Sequence, residues 1–314
     1  MKPQSTLLKA LSLGGFLFAA PLVASTAQAA NVTVVISGLG GSEEFAEKFD
    51  NYATAIADEA KRIALAETDV MLLRGSAAKK DIITALFDAL ATRTDINQFS
   101  AYFIGHGSFD GRNYKFNIPG PDIKDTELLE LLNKIKAQQQ LVIAATSSSG
   151  ALLESIDTGN DTVGQRVVIT ATKNGREKTA VLFPEYLVEA ITTPAADTNK
   201  NESITALEVF NYANGEVEGF YESEKLLAPE HAKLQGEIAE SFEVARYGKL
   251  LAAQDKVPEA LLTSRETLAN QVSTLRSRKE DISEDEYFDT LQDLMLKLSD
   301  VQRQIDEATE DSGN

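Results

Sequence analysis

The chain has no cysteine among its 314 residues, and that absence narrows its chemistry most. It excludes disulfides, so stability has to come from packing. It also excludes a lipid-anchored cysteine, a thiolate zinc site and a cysteine nucleophile. Histidine is nearly as scarce, with two residues, His106 and His231. Positive charge is short as well: 30 Lys and Arg stand against 48 Asp and Glu, a formal charge of −18. Such a surface repels phosphate backbones and anionic lipid heads. The charge therefore argues against nucleic acid as a partner and favours basic proteins or metal cations. Beyond the first 30 residues no stretch is apolar enough to cross a bilayer, so the mature chain is expected to have no membrane span.

What is present begins with an amino-terminal leader. Lys2 and Lys9 precede the apolar stretch Ala10 to Ala24, and Ala27-Gln28-Ala29 has the small-x-small form of a cleavage site. Residues 1–29 read as a secretory signal peptide, which implies a periplasmic or secreted protein. Its removal takes away two lysines and moves the charge from −18 to −20.

Short apolar runs then alternate with helical patterns. Val32 to Ser37, the "DVMLLRG" run, "FSAYFIG", "LVIAA" and Arg166 to Thr172 read as five strands. Phe45, Phe49, Tyr52, Ile56 and Ile63 fall at helical spacing, as do Leu128, Leu129, Leu132 and Ile135. Ser76 is placed to cap a helix carrying Ile82, Ile83, Leu86 and Leu90. This alternation predicts an α/β fold, a mostly parallel sheet with helices on both faces, over residues 31–225. Sites in such sheets lie outside the carboxyl ends of the strands.

After residue 225 the character changes, and 226–308 reads as a helical extension. Leu261, Leu268, Val272 and Leu275, then Leu291, Leu294, Leu298, Val301 and Ile305, form two apolar seams. Ser283 and Glu286 between them have capping-box spacing. A helical hairpin results, and residues 256–308 could take a helical partner or simply pack on the main domain. The tail 309–314 is expected to be disordered.

Two strand ends carry chemistry. "YFIGHGSFDG" ends the third strand at His106, a candidate general base, beside Gly107, whose backbone N–H is free to donate to an oxyanion. "LVIAATSSSG" ends the fourth strand in Thr146, Ser147, Ser148 and Ser149. Neighbouring parallel strands bring these loops together, so a serine could face His106 as nucleophile.

A hydrophobic strand ending in His-Gly, followed about forty residues on by a strand ending in a small-residue, Ser and Gly block, resembles the caspase/legumain-like cysteine peptidases. The resemblance runs from Asn31 to Ala232 and includes "SGLGGSEEFAEKFDNYATAI", "GSAAKKDIITAL" and "RVVITATKNGREKT". It implies a caspase-like fold, with Ser147 where the family has its nucleophilic cysteine and Ser149 and Gly150 matching the residues after it. The resemblance further places Ser149, Thr172 and Glu177 in substrate binding. A serine hydroxyl needs a better-placed base than a thiol, and only Asp110 and Glu177 offer themselves as orienting carboxylates. The leading expectation is therefore an exported, non-catalytic member that binds a peptide or protein segment. The alternatives are a serine-dependent peptidase or esterase using Ser147 and His106, and a structural envelope protein acting through the hairpin.

A second constellation is "DTNKNESITALE". Asp197, Asn199, Asn201, Thr205 and Glu208 have the spacing of a twelve-residue calcium loop, with the Ser203 carbonyl as a further ligand. Glu202 stands where such loops want glycine. A polar loop capping the next helix explains the same residues, so calcium is an allowed ion and no cofactor is required. "GLGG" lacks the third glycine of a dinucleotide fingerprint, which falls at Glu43. His231 has no evident partner and reads as structural.

Overall fold

The computed structural model describes residues 30–64, 66–156, 159–160, 164–248, 251, 257–277, 279 and 282–310. The leader, and most of the tail expected to be disordered, lie outside them. Twelve strands occur among these residues. They are β1 (Ala30–Ser37), β2 (Val70–Leu73), β3 (Ile96–Gly105), β4 (Gly107–Phe109), β5 (Tyr114–Phe116), β6 (Ile123–Lys124), β7 (Gln139–Thr146), β8 (Gly159–Asn160), β9 (Gly164–Thr170), β10 (Ser203–Thr205), β11 (Lys233–Gln235) and β12 (Glu243–Arg246). The helices are α1 (Glu43–Ile63), α2 (Lys80–Leu90), α3 (Asp125–Lys134), α4 (Phe183–Thr192), α5 (Ala206–Ser223), α6 (Glu259–Ser277) and α7 (Glu284–Glu310).

The main sheet runs β11-β9-β7-β3-β1-β2, with β8 also paired to β9. From β9 to β2 the pairs are parallel; β11 and β8 are antiparallel to β9. Side chains alternate along each strand, and the sheet divides its residues between two cores accordingly. Val35, Tyr102, Ile104, Ile143, Ala145 and Ile169 pack with Phe49 and Ile56 of α1, Leu187 of α4 and Val209 of α5. Val34, Ile36, Phe103, Val142, Ala144 and Val168 pack with Phe87 of α2 and Leu128 and Leu132 of α3. The expected α/β sheet with helices on both faces is what the sequence forms.

That division positions the site. The chain leaves β1 for α1 on one face and reaches β3 through α2 on the other. The carboxyl ends of β1 and β3 are thus a topological switch point, where a crevice opens. Helix α1 is set by local chemistry: Ser42 accepts the Phe45 N–H as N-cap, Glu43 and Glu44 stand in the first turn and Lys61 and Arg62 in the last. Ser76 does not cap α2. It lies in a separate 3-10 turn, Gly75–Ala77, and α2 starts after Lys79 with no side-chain cap.

The boundary expected at residue 225 needs correction. β11 adds to the main sheet beside β9, and β12 pairs with β10, so residues 233–246 belong to the α/β body. The hairpin itself forms as expected, with 19 residues in α6 and 27 in α7. Ser283 accepts the Glu286 N–H at its second helix. No helix among the described residues is long and apolar enough to cross a membrane.

Candidate functional site

The β3–β7 register pairs Gly105 with Thr146, so the next residues, His106 and Ser147, stand side by side at neighbouring strand ends. Side-chain alternation puts both on the α1 face. The imidazole of His106 lies edge-on to two rings of α1, Phe45 and Phe49, with centroids 4.9 Å away in each case. Its Nε2 is 3.1 Å from the Gly40 carbonyl oxygen in the loop after β1. A carbonyl only accepts, so Nε2 carries the proton and Nδ1 is left as the basic atom. Ser147 is 3 % exposed. No hydrogen bond joins it to His106 among the described residues.

Gly107 has to be glycine. A methyl group there would come within 2.2 Å of the Ser147 carbonyl oxygen and 2.7 Å of Thr146 Oγ1. Its N–H is also left over from the sheet. The bonds Asn117 N–H to His106 O and Asp110 N–H to Asn113 O make Gly107–Phe116 a non-hydrogen-bonded pair of the β4–β5 ladder. A carbonyl-binding donor therefore sits beside Ser147. Below it, Tyr114 OH and Thr146 Oγ1 lie 2.6 Å apart in a fully buried pair.

The serine loop is bound into the fold more tightly than its sequence suggests. Ser148 is in the left-handed region, φ 59°, with its N–H on the Glu177 carbonyl at 2.8 Å and its buried hydroxyl without a partner. Ser149 Oγ accepts the Thr172 N–H, and Thr172 Oγ1 accepts the Gly150 N–H at 2.9 Å. Ser149 and Thr172 are completely buried. These bonds tie the ends of β7 and β9 together.

Neither orienting carboxylate meets His106. Asp110 closes its own turn by accepting the Arg112 and Asn113 N–H groups and pairs with Lys115 at 2.9 Å. The Asn113 N–H and Lys115 hold its carboxyl far below the ordinary range. Glu177 joins the other histidine: its Oε1 is 2.6 Å from His231 Nδ1 and 3.3 Å from Lys173 Nζ. Its Oε2 accepts the backbone N–H of both Lys173 and His231. Burial pushes the Glu177 carboxyl up, but these donors together hold it below its usual value. The expectation that His231 lacks a partner is thereby overturned. Nearby Glu230, driven the other way by burial, stays above the usual value despite accepting from Leu182 N–H and Tyr221 OH. The sequence could not have paired residues 177 and 231; the signal was the basic loop Lys173–Lys178 after a strand end.

The loop from Asp197 to Glu208 lies apart from this site. Asp197 accepts the N–H groups of Asn201 and Glu202, Asn199 accepts that of Asn201, and Asn201 that of Ser203. Glu202 adopts φ 66° although it is not glycine. Thr205 and Glu208 form a capping box for α5. Arg265 of α6 donates to the Asn201 carbonyl at 2.6 Å. Among the described residues no three His, Asp or Glu side chains gather as for a metal ion.

No family model matches the chain, and no curated protein matches its sequence. Solved structures do. The chain is similar to caspase-1 from Spodoptera frugiperda, with 9% identity, a TM-score of 0.44, and coverage of 67% of this chain and 86% of that one. A pro-sf-caspase-1 structure gives 11% identity, a TM-score of 0.39, and coverage of 66% and 86%. The α/β assignment rests on strand order, register and the two cores.

Proposed function

We propose that this chain binds an extended polypeptide segment across the carboxyl edge of its sheet and does not cleave it. The observation that carries the reading is the state of His106. Its Nε2 is held by the Gly40 carbonyl, and neither a serine nor a carboxylate completes a relay with it. Serine is a poor nucleophile without a positioned base and an orienting group. A peptide carbonyl, by contrast, has a donor waiting at the Gly107 N–H. No cofactor enters this proposal. The leader at 1–29 places the activity outside the cytoplasm in the same reading, and an amino terminus at Ala30 in the mature protein would support that.

The test uses a mixed peptide library incubated with the purified protein, with bound and free fractions read by mass spectrometry. Retained peptides of intact mass, equal for the native protein and Ser147→Ala, support binding without turnover. Cleavage lost in Ser147→Ala would replace the proposal with a serine hydrolase. Failure to retain any peptide would remove the cleft as the working site.

A further inference from the structure

Two exposed surfaces carry opposite charge. The first is at the carboxyl edge, on the loops around β9 and β11. Leu226 is 58% and Leu227 97% exposed, an unusual position for two adjacent leucines. The bond between Glu177 and the His231 N–H brings the basic loop 173–178 against their segment. Arg176 and Lys178 are exposed, with no ion pair among the described residues, and Lys233 follows in β11. With Lys225, also exposed, these cations outnumber the exposed Glu222 and Glu224 beside the leucines, a local positive excess on a chain of formal charge −18.

The second surface is α7. One side of it packs on α6, burying Tyr287, Leu294 and Ile305. At 3.6 residues per turn Phe288 and Met295 project along nearly one line, away from that seam. They are 52% and 45% exposed, and Leu296 beside them is 63% exposed. Asp285 and Asp289 flank this stripe, both exposed. Helix α7 carries nine acidic residues against Lys297 and Arg303.

These two surfaces do not cover each other within the chain, since both are exposed. Arg265 of α6 holds the Asn201 carbonyl, next to β10 and its partner β12. Glu243 and Val244 of β12 line a small cavity with Asn31, Val32 and Gln98, at the amino ends of β1 and β3. The hairpin thus starts from the amino edge, and the basic patch lies at the carboxyl edge. We infer that the acidic stripe of α7 docks on the Leu226–Leu227 patch of a second copy of this chain, a head-to-tail contact. Such a contact is heterologous: every copy offers one surface of each kind, so assembly proceeds to a ring or an open chain. It is independent of whether the strand-end cleft binds peptide.

Sedimentation velocity on the purified protein tests this. The native protein should form concentration-dependent oligomers. Leu227→Asp and Phe288→Asp should each weaken association roughly tenfold or more, since each loses a buried apolar side chain. Mixing those two variants should restore a 1:1 dimer and nothing larger, because each retains the surface the other has lost. Arg176→Glu with Lys178→Glu should weaken assembly, and combining them with Asp285→Lys and Asp289→Lys should recover it. Raising the salt should weaken assembly, as the screening length falls from about 10 Å at 0.1 M to about 3 Å at 1 M. A native protein that stays monomeric overturns the inference. So do variants that leave the oligomer unchanged, a mixture that does not dimerise, or association that strengthens with salt.

Discussion

The carboxyl edge carries two histidines, and each has what the other lacks. His106 stands beside Ser147 but has no carboxylate; its ring is held by Phe45, Phe49 and the Gly40 carbonyl. His231, beside β11 three strands away, has a carboxylate in Glu177 at 2.6 Å, with Lys173 close by, but no serine among the described residues is bonded to it. A triad needs nucleophile, base and orienting group in one line. Here the parts are divided between neighbouring strand ends. The difference teaches that a strand-end address does not fix a ring's partners; the residues packed against each ring do.

Four measurements would break or sharpen that comparison. The largest effect is expected from Gly107→Ala, on the His106 side. The added methyl overlaps the Ser147 carbonyl, and a cost of about 3 kcal/mol in urea unfolding is expected. A neutral result would mean the two strand ends are not packed as described. Next is Glu177→Gln, on the other side, at about 2 kcal/mol, because a charged acceptor of two backbone N–H groups and the His231 ring is lost. That variant also has a pH signature. The folded-state value of Glu177 is depressed, so its stabilisation is fully present above the ordinary glutamate value of about 4.3 and is lost as pH falls through the lower folded value. Unfolding temperatures measured downward from pH 5 should therefore fall less in Glu177→Gln than in the native protein. Glu230, displaced upward, works in the opposite sense and weakens folding as pH rises through its own range.

His106→Ala should cost about 1–2 kcal/mol, from two edge-on ring contacts and one hydrogen bond. His231→Ala should cost under about 0.5 kcal/mol, since the side chain is 44% exposed and its backbone bond to Glu177 remains. Thermal unfolding of the two variants side by side checks the order. A larger loss for His231 would reverse the roles assigned to the two rings.

Much of this was legible in the sequence because it is local. The five central strands are runs of Val, Ile, Leu, Phe and Ala, and the helices between them keep apolar residues in step with the turn. The hairpin seams were legible for the same reason. What escaped is non-local. Lys233–Gln235 is three residues of ordinary polarity, and only its place beside β9 makes it a strand. Glu177 and His231 are 54 residues apart and meet through the same event. Ser149 and Thr172 look like solvent-facing polar residues, yet their hydroxyls satisfy backbone N–H groups inside the protein. At Glu202 the fold imposes a left-handed backbone that its side chain does not favour. For the site, the sequence located the two strand ends and could not say which groups their side chains would touch.

One consequence follows from β11. The last strand to join the main sheet comes from a point some sixty residues after β9 ends, so a growing or nicked chain that stops short of Lys233 leaves the β9 margin uncapped. Val168, Ile169 and Thr170 would then offer their open backbone to any similar ribbon nearby, the usual beginning of intermolecular stacking. Fragments ending in the 170–232 interval should accordingly aggregate more readily than the full chain.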